Sequence, residues 1–154
     1  MEKIQRQGNQ MKILIMGLPG SGKTTLAEKL FDEVCKNGPA EWVNADELRK
    51  ECNDWDFSDE GRKRQAHRMN LIASAGSARG FTMICDFVCP TRELRDIFDP
   101  DMVIWMDTIS KSRYADTDSI FEPPTKEEYN FRIDEFASDK WAPTLADLII
   151  ILKE

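Results

Sequence analysis

Short apolar runs alternate along the chain with longer stretches in which apolar residues recur every three or four positions, the pattern of strands interleaved with amphipathic helices. Lys12-Ile13-Leu14-Ile15-Met16 is a β-rich run that stops at a glycine loop, and from Lys23 to Lys36 the residues Leu26, Ala27, Leu30 and Val34 fall on one helical face. Trp42-Val43 with Asn44-Ala45 predicts a short second strand, followed by a helix over Asp46 to Lys50 with Asp46 as its N-cap. Ser58 caps a longer helix carrying Ala66, Met69, Ile72 and Ala73, which Gly76 or Gly80 stops. Phe81 to Cys85 is the third strand, Pro90 opens a helix over Thr91 to Phe98, and Met102 to Met106 is the fourth strand.

The apolar end of the chain reads as strand or helix by composition alone, and spacing arbitrates. Trp141, Ala142, Leu145, Leu148, Ile149 and Leu152 keep one helical face, with Pro143 tolerated in the first turn after Asp139, so the fifth strand is placed at Tyr129 to Ile133. The whole pattern predicts an α/β fold: a five-stranded parallel sheet between two helical layers, with ligands at the carboxyl ends of the strands.

The length of 154 residues suits one domain, here placed at 12–154 behind a flexible segment 1–11, with a polar, lid-like loop at about 107–127 that includes Pro123-Pro124. The longest apolar run, Leu148 to Leu152, is far short of the ~20 residues of a membrane span. Met1 to Gln10 is polar, without the apolar stretch of a signal peptide, and a cytoplasmic location with reduced thiols is expected. Cys35, Cys52, Cys85 and Cys89 form no CxxC pair and His67 is the one histidine, so a structural metal site is not expected. With 28 carboxylates against 21 Lys and Arg and a net charge of −7, summed attraction to nucleic acid or anionic membrane is unfavourable. An anionic partner must be caught by a local cluster.

Gly17-Leu18-Pro19-Gly20-Ser21-Gly22-Lys23-Thr24, followed by Thr25, matches GxxxxGK[ST] and lies between a strand and a helix, as that motif requires. Its glycines let backbone N–H groups turn toward phosphate oxygens. Lys23 reaches the β and γ phosphates, and Thr24 offers a hydroxyl to Mg²⁺. This P-loop makes the fold a P-loop NTPase fold and implies a nucleoside triphosphate, without saying what is done with it. Asp86, at the end of the third strand, reads either as a second Mg²⁺-side carboxylate or as a cap on the next turn. Asp46, at the end of the second strand, reads either as an acceptor of a proton from a substrate hydroxyl or as an N-cap with Arg49 beside it. Arg62, Lys63, Arg64 and Arg68 crowd one helix, and Arg92 and Arg95 another; most belong on solvated surface, while those near the sheet edge suit capture of phosphate or sulfate.

Taken in order, these residues resemble the adenylylsulfate kinases. The resemblance rests on GLPGSGKTT, on Asn44 to Arg49 against a DGDNVR-type segment, and on Phe57-Ser58-Asp59-Glu60-Gly61-Arg62 against FSxEDR. It continues with Phe87-Val88-Cys89-Pro90-Thr91-Arg92 against FISPYR and Asp118-Ser119-Ile120-Phe121-Glu122-Pro123-Pro124 against DSPYEPP, spanning about Lys12 to Ile133. It implies a kinase that passes the γ-phosphate of ATP to the 3′-hydroxyl of adenosine 5′-phosphosulfate. In that reading Asp46 lies by the acceptor hydroxyl and Mg²⁺, and Arg49 and Arg62 hold the substrate anion. Phe57 and Tyr114 sandwich the substrate adenine, Val88, Cys89 and Pro90 lie along the substrate, and Gln65 stands where the family has asparagine. Family members are often dimers, so the resemblance allows a homodimer, although no interface can be read from the sequence.

The chain also departs from the family. After Asp107-Thr108 the usual basic lid is shortened, leaving Lys111 and Arg113; Cys89 replaces a serine, Asn44 an aspartate, and Asp86 a small residue. Two other readings stand beside the first: a P-loop kinase acting on another nucleotide, a sugar or a polynucleotide 5′-end, and a non-catalytic ATP-binding regulatory module.

Overall fold

The computed structural model describes residues 11–153. Five strands, β1 (Met11–Met16), β2 (Ala40–Asn44), β3 (Thr82–Asp86), β4 (Met102–Met106) and β5 (Phe131–Ile133), form one sheet in the order β2-β3-β1-β4-β5. All four pairings are parallel. Among the described residues there are also six helices: α1 (Lys23–Cys35), α2 (Ala45–Cys52), α3 (Asp59–Ala78), α4 (Arg92–Phe98), α5 (Ala115–Ile120) and α6 (Ser138–Lys153). This is the three-layer α/β/α P-loop NTPase architecture expected from the alternation together with the glycine loop.

The two faces of β1 feed two cores. Ile13 and Ile15 pack with Leu26 and Leu30 of α1 and Leu145 and Ile149 of α6, whereas Leu14 and Met16 pack with Met69 and Ala73 of α3, Met83 and Phe98. A central strand buried on both sides is apolar at nearly every position, and the exception in β1, the buried Lys12, is accommodated by donating from Nζ to Asn70 Oδ1 at 2.8 Å. The chain leaves β1 toward one edge of the sheet and β3 toward the other. Their carboxyl ends therefore frame a crevice, the usual ligand position in an open α/β sheet.

Several boundaries differ from expectation, each for a local reason. β1 starts at Met11, fully buried, so the segment expected to be flexible loses that residue; residues 1–10 lie outside the described ones. The cap of α2 is Asn44, whose side chain accepts from Glu47 N at 2.9 Å, and Asp46 falls in the first turn instead. Thr91 is the N-cap of α4, its hydroxyl accepting from Leu94 N, so the helix begins at Arg92 and Pro90 lies outside its first turn. Helix α3 runs through Gly76, where the helix comes closest to Met83 of β3: an added Cβ would meet the thioether at 2.3 Å. Phe81 N bonds back to Gly76 O, which moves the start of β3 to Thr82 and brings Asp86 into the ladder opposite Ile15 and Asn44. β5 is shorter than expected because Asn130 meets β4 partly through its side chain, Oδ1 accepting from Val103 N, while Tyr129 turns onto Trp105. The lid-like stretch contains α5, and Pro143 sits beyond the first turn of α6, where it removes the bond to Asp139 O. Among the described residues, no helix is long and apolar enough to cross a membrane.

Candidate functional site

The P-loop closes on itself without filling its own cradle. Gly22 caps α1 at φ 98°, a left-handed conformation suited to glycine, and brings no side chain to the first-turn N–H groups. Gly17 has no room for a Cβ, which would lie 2.6 Å from Met106 O. Gly17 and Ser21 are buried behind the loop, Thr108 Oγ1 supports it by donating to Ser21 O at 2.7 Å, and Ser21 Oγ is buried without a partner among the described residues. Pro19, Gly20, Gly22, Lys23, Thr24 and Thr25 face the open side. Lys23 Nζ donates to Leu18 O at 2.9 Å, and burial lowers its pKa to about 8, against the opposing pull of Asp86 and Asp46.

Asp86 stands beside this loop because β3 neighbours β1. It is 2% exposed and accepts from Thr24 Oγ1 at 2.9 Å, Trp42 Nε1 at 2.9 Å and Asn44 Nδ2 at 3.1 and 3.2 Å. These side-chain partners come from α1 and β2, so the carboxylate is tied into the P-loop and not into the turn after it. Burial raises its pKa, while the three donors and Lys23 act in the opposite direction. Trp42 and Asn44 were not singled out for this role by sequence; the signal was the two-residue period of β2, which puts positions 42 and 44 on one face.

Asp46 and the expected acceptor residues continue the same wall. A cavity of about 1080 Å³ runs from the P-loop past Asp46 to Arg49, Phe57, Arg62, Gln65, Val88, Cys89, Pro90 and Tyr114, so one space gathers the sequence-predicted residues on both sides of Asp46. Arg49 is buried, donates to Asp54 O and Asp56 O, and lies 4.3 Å from the Phe57 ring; Arg62 donates to Phe57 O and Thr117 Oγ1 and lies 5.5 Å from that ring. Phe57 and Tyr114 keep about half their surface open, at 47% each. Gln65 Nε2 donates to Ala45 O, tying α3 to the start of α2.

The rest of the basic run turns elsewhere. Lys63 pairs with Asp59 and Glu93, and Arg64 and Arg68 converge on Asp54, whose carboxyl they hold well below the ordinary carboxylate range. That pair anchors the loop carrying Trp55, another open aromatic side chain on the cavity wall that sequence reading missed. Phe136, from the loop after β5, was missed as well: it is 66% exposed, and a Cβ on Gly22 would sit 3.3 Å from its ring. Of the shortened lid, Arg113 reaches the cavity wall and lies 5.4 Å from the Tyr114 ring.

The adenylylsulphate kinase family model matches residues 9–103. The chain belongs to the adenylylsulphate kinase family. The matched region includes the P-loop, Asp46, Arg49, Phe57, Arg62, Gln65 and Asp86, whereas Tyr114 lies beyond it. The adenylyl-sulfate kinase of Prochlorococcus marinus is 34% identical over 99 residues, covering 62% of this chain and 49% of that protein. A probable adenylyl-sulfate kinase of Aeropyrum pernix is 36% identical over 87 residues, covering 55% and 48%. The chain thus spans about half the length of the curated relatives it matches. A Mycobacterium tuberculosis APS kinase, solved with AMPPNP and APS, shares the fold with a TM-score of 0.77 over 91% of this chain and 98% of that one, at 21% identity.

Proposed function

We propose that this member of the family transfers the γ-phosphate of ATP to the 3′-hydroxyl of adenosine 5′-phosphosulfate, giving the 3′-phosphorylated product. The observation that carries this reading is the single cavity joining a P-loop to an aromatic, arginine-flanked slot with Asp46 between them. At about 1080 Å³ it stands at the upper end of the range for one small-molecule ligand, in keeping with two nucleotides end to end. The P-loop N–H groups and Lys23 hold the triphosphate, and Asp46 takes the proton from the attacking hydroxyl. Arg49 and Arg62 neutralise the phosphosulfate, and Phe57 and Tyr114 stack on its base, an interaction worth about 1–3 kcal/mol per base. Arg113 adds positive charge from the short lid. Phosphoryl transfer needs little beyond such positioning and charge stabilisation.

The Thr24 hydroxyl and the Asp86 carboxylate, 2.9 Å apart, are hard oxygen donors on the phosphate side of the cavity and fit Mg²⁺. When bound there, Mg²⁺ would screen charge on the β and γ phosphates. Coupled ADP release with ATP·Mg²⁺ and a panel of acceptors tests the reading. Turnover is expected with adenosine 5′-phosphosulfate, none in Lys23→Ala, and a loss of about a hundredfold or more in Asp46→Asn, the scale of a missing general base. An unchanged rate in Asp46→Asn removes that residue from the mechanism; turnover with a different acceptor alone overturns the substrate.

A further inference from the structure

Arg95 of α4 is 5% exposed, although it lies outside the P-loop and off the cavity wall. Its Nη1 donates to Cys89 O at 3.0 Å, and its Nη2 to Glu122 O at 2.9 Å and Glu128 Oε2 at 3.2 Å. Cys89 belongs to the loop that walls the acceptor side of the cavity, and Glu122 to the stretch through which the chain leaves α5, just after Tyr114 and Thr117. Glu122 N donates to Pro90 O at 2.7 Å, so the two segments are also joined directly. Arg62 ties the third side by bonding Phe57 O and Thr117 Oγ1.

The backbone at Cys89 shows what this grip holds. Its φ is +46°, a left-handed conformation for a residue with a Cβ, followed at once by proline. Such a conformation persists where its surroundings over-determine it, and it concentrates at ligand sites. Stability gives a weak reason for the guanidinium: among the described residues one carboxylate answers this buried cation and its Nε has no partner, and apolar replacements of buried ion pairs are often neutral or stabilising.

We propose that Arg95 is a positioning residue for the acceptor slot, locking the Phe87–Pro90 wall to the segment behind Tyr114 so that both sides of the slot keep one spacing. As a statement about acceptor binding it rests on the function proposed above; as a statement about the two walls it does not. The test compares the full chain with Arg95→Lys, which keeps the charge but loses the two-pronged grip, and with Glu128→Gln, which loosens the same grip and carries the test if Arg95→Lys does not fold. Steady-state kinetics with adenosine 5′-phosphosulfate are measured together with amide hydrogen exchange. For Arg95→Lys the KM for that acceptor rises tenfold or more and the KM for ATP stays within twofold; for Glu128→Gln the acceptor KM rises about threefold. Exchange accelerates in 86–91 and 112–123 and not in 17–27. Equal rises in both KM values, or exchange accelerated throughout the chain, would overturn the proposal. A wild-type chain inert toward this acceptor, with the selective change in exchange intact, would sink the assigned substrate and leave the locking of the walls standing.

Discussion

Lys23 shows what a phosphate cradle costs the free protein. Its folded pKa of about 8 lies below the ordinary 10.5, so between those values the unfolded chain binds more protons. The penalty for burying the ammonium is fully present below pH 8 and is relieved as pH rises from 8 to 10.5, a difference of about 3 kcal/mol. We expect Lys23→Met to have an equal or higher Tm at pH 7, by scanning calorimetry, while ATP binding weakens a hundredfold or more; a Tm lowered by several degrees would contradict this. In the wild type, ATP affinity should fall as pH rises past 8. Asn44 makes a second case. Replacing it by aspartate keeps a capping oxygen for α2 but sets a carboxylate against Asp86, where an amide now donates at 3.1 Å. Asn44→Asp should lose about 1–3 kcal/mol without divalent cations and regain more of its Tm on Mg²⁺ addition than the wild type does. An equal response of both proteins would argue against Asp86 as a Mg²⁺-side carboxylate.

The elements respond to contacts that their own propensities do not register. Gly61 lies in the first turn of α3, where helix propensity alone credits Gly61→Ala with about 1 kcal/mol of stabilisation. The structure reverses the sign: an added Cβ would lie 2.1 Å from Asp56 O, in the loop that Arg49, Arg64 and Arg68 hold against the helix. We expect Gly61→Ala to lose about 2 kcal/mol or more in urea unfolding, or else to displace the loop carrying Trp55 and Phe57 and raise the acceptor KM. A gain in stability with unchanged kinetics would contradict both. The same limit of local reading appears at α2, where Asn44 and Asp46 are both acceptable caps by residue type. Asn44 does the capping because the β2 ladder runs through to it, opposite Asp86.

For the whole molecule, the relevant charge is local. The net charge is −7, yet Lys23, Arg49, Arg62 and Arg113 converge on one cavity. Small anions can enter that cluster, whereas a polynucleotide would lay many phosphates against an acidic surface, where counterion release cannot drive binding. We expect no phosphorylation of oligonucleotide 5′-ends and no retention of oligonucleotides at about 50 mM salt. Retention that weakens steeply with added salt would contradict this reading.

By itself the sequence determined what near neighbours along the chain decide. The alternation of strands and helices follows from side-chain period, and the P-loop is recognisable because its strand, turn and helix are contiguous. Phe57 and Tyr114 were proposed through resemblance alone, and the structure places both on the cavity wall as half-open aromatics. Tertiary structure decided the remainder: that Asp86 meets Thr24, that Arg62 faces the cavity while Arg64 and Arg68 bind Asp54, and that Arg95 bridges Cys89 and Glu122. The P-loop and cavity-wall pairings depend on strand order and helix placement. A hydrogen bond acts over about 3 Å of space whatever the distance along the chain, and no local pattern of apolar and polar residues encodes which distant segments are brought that close.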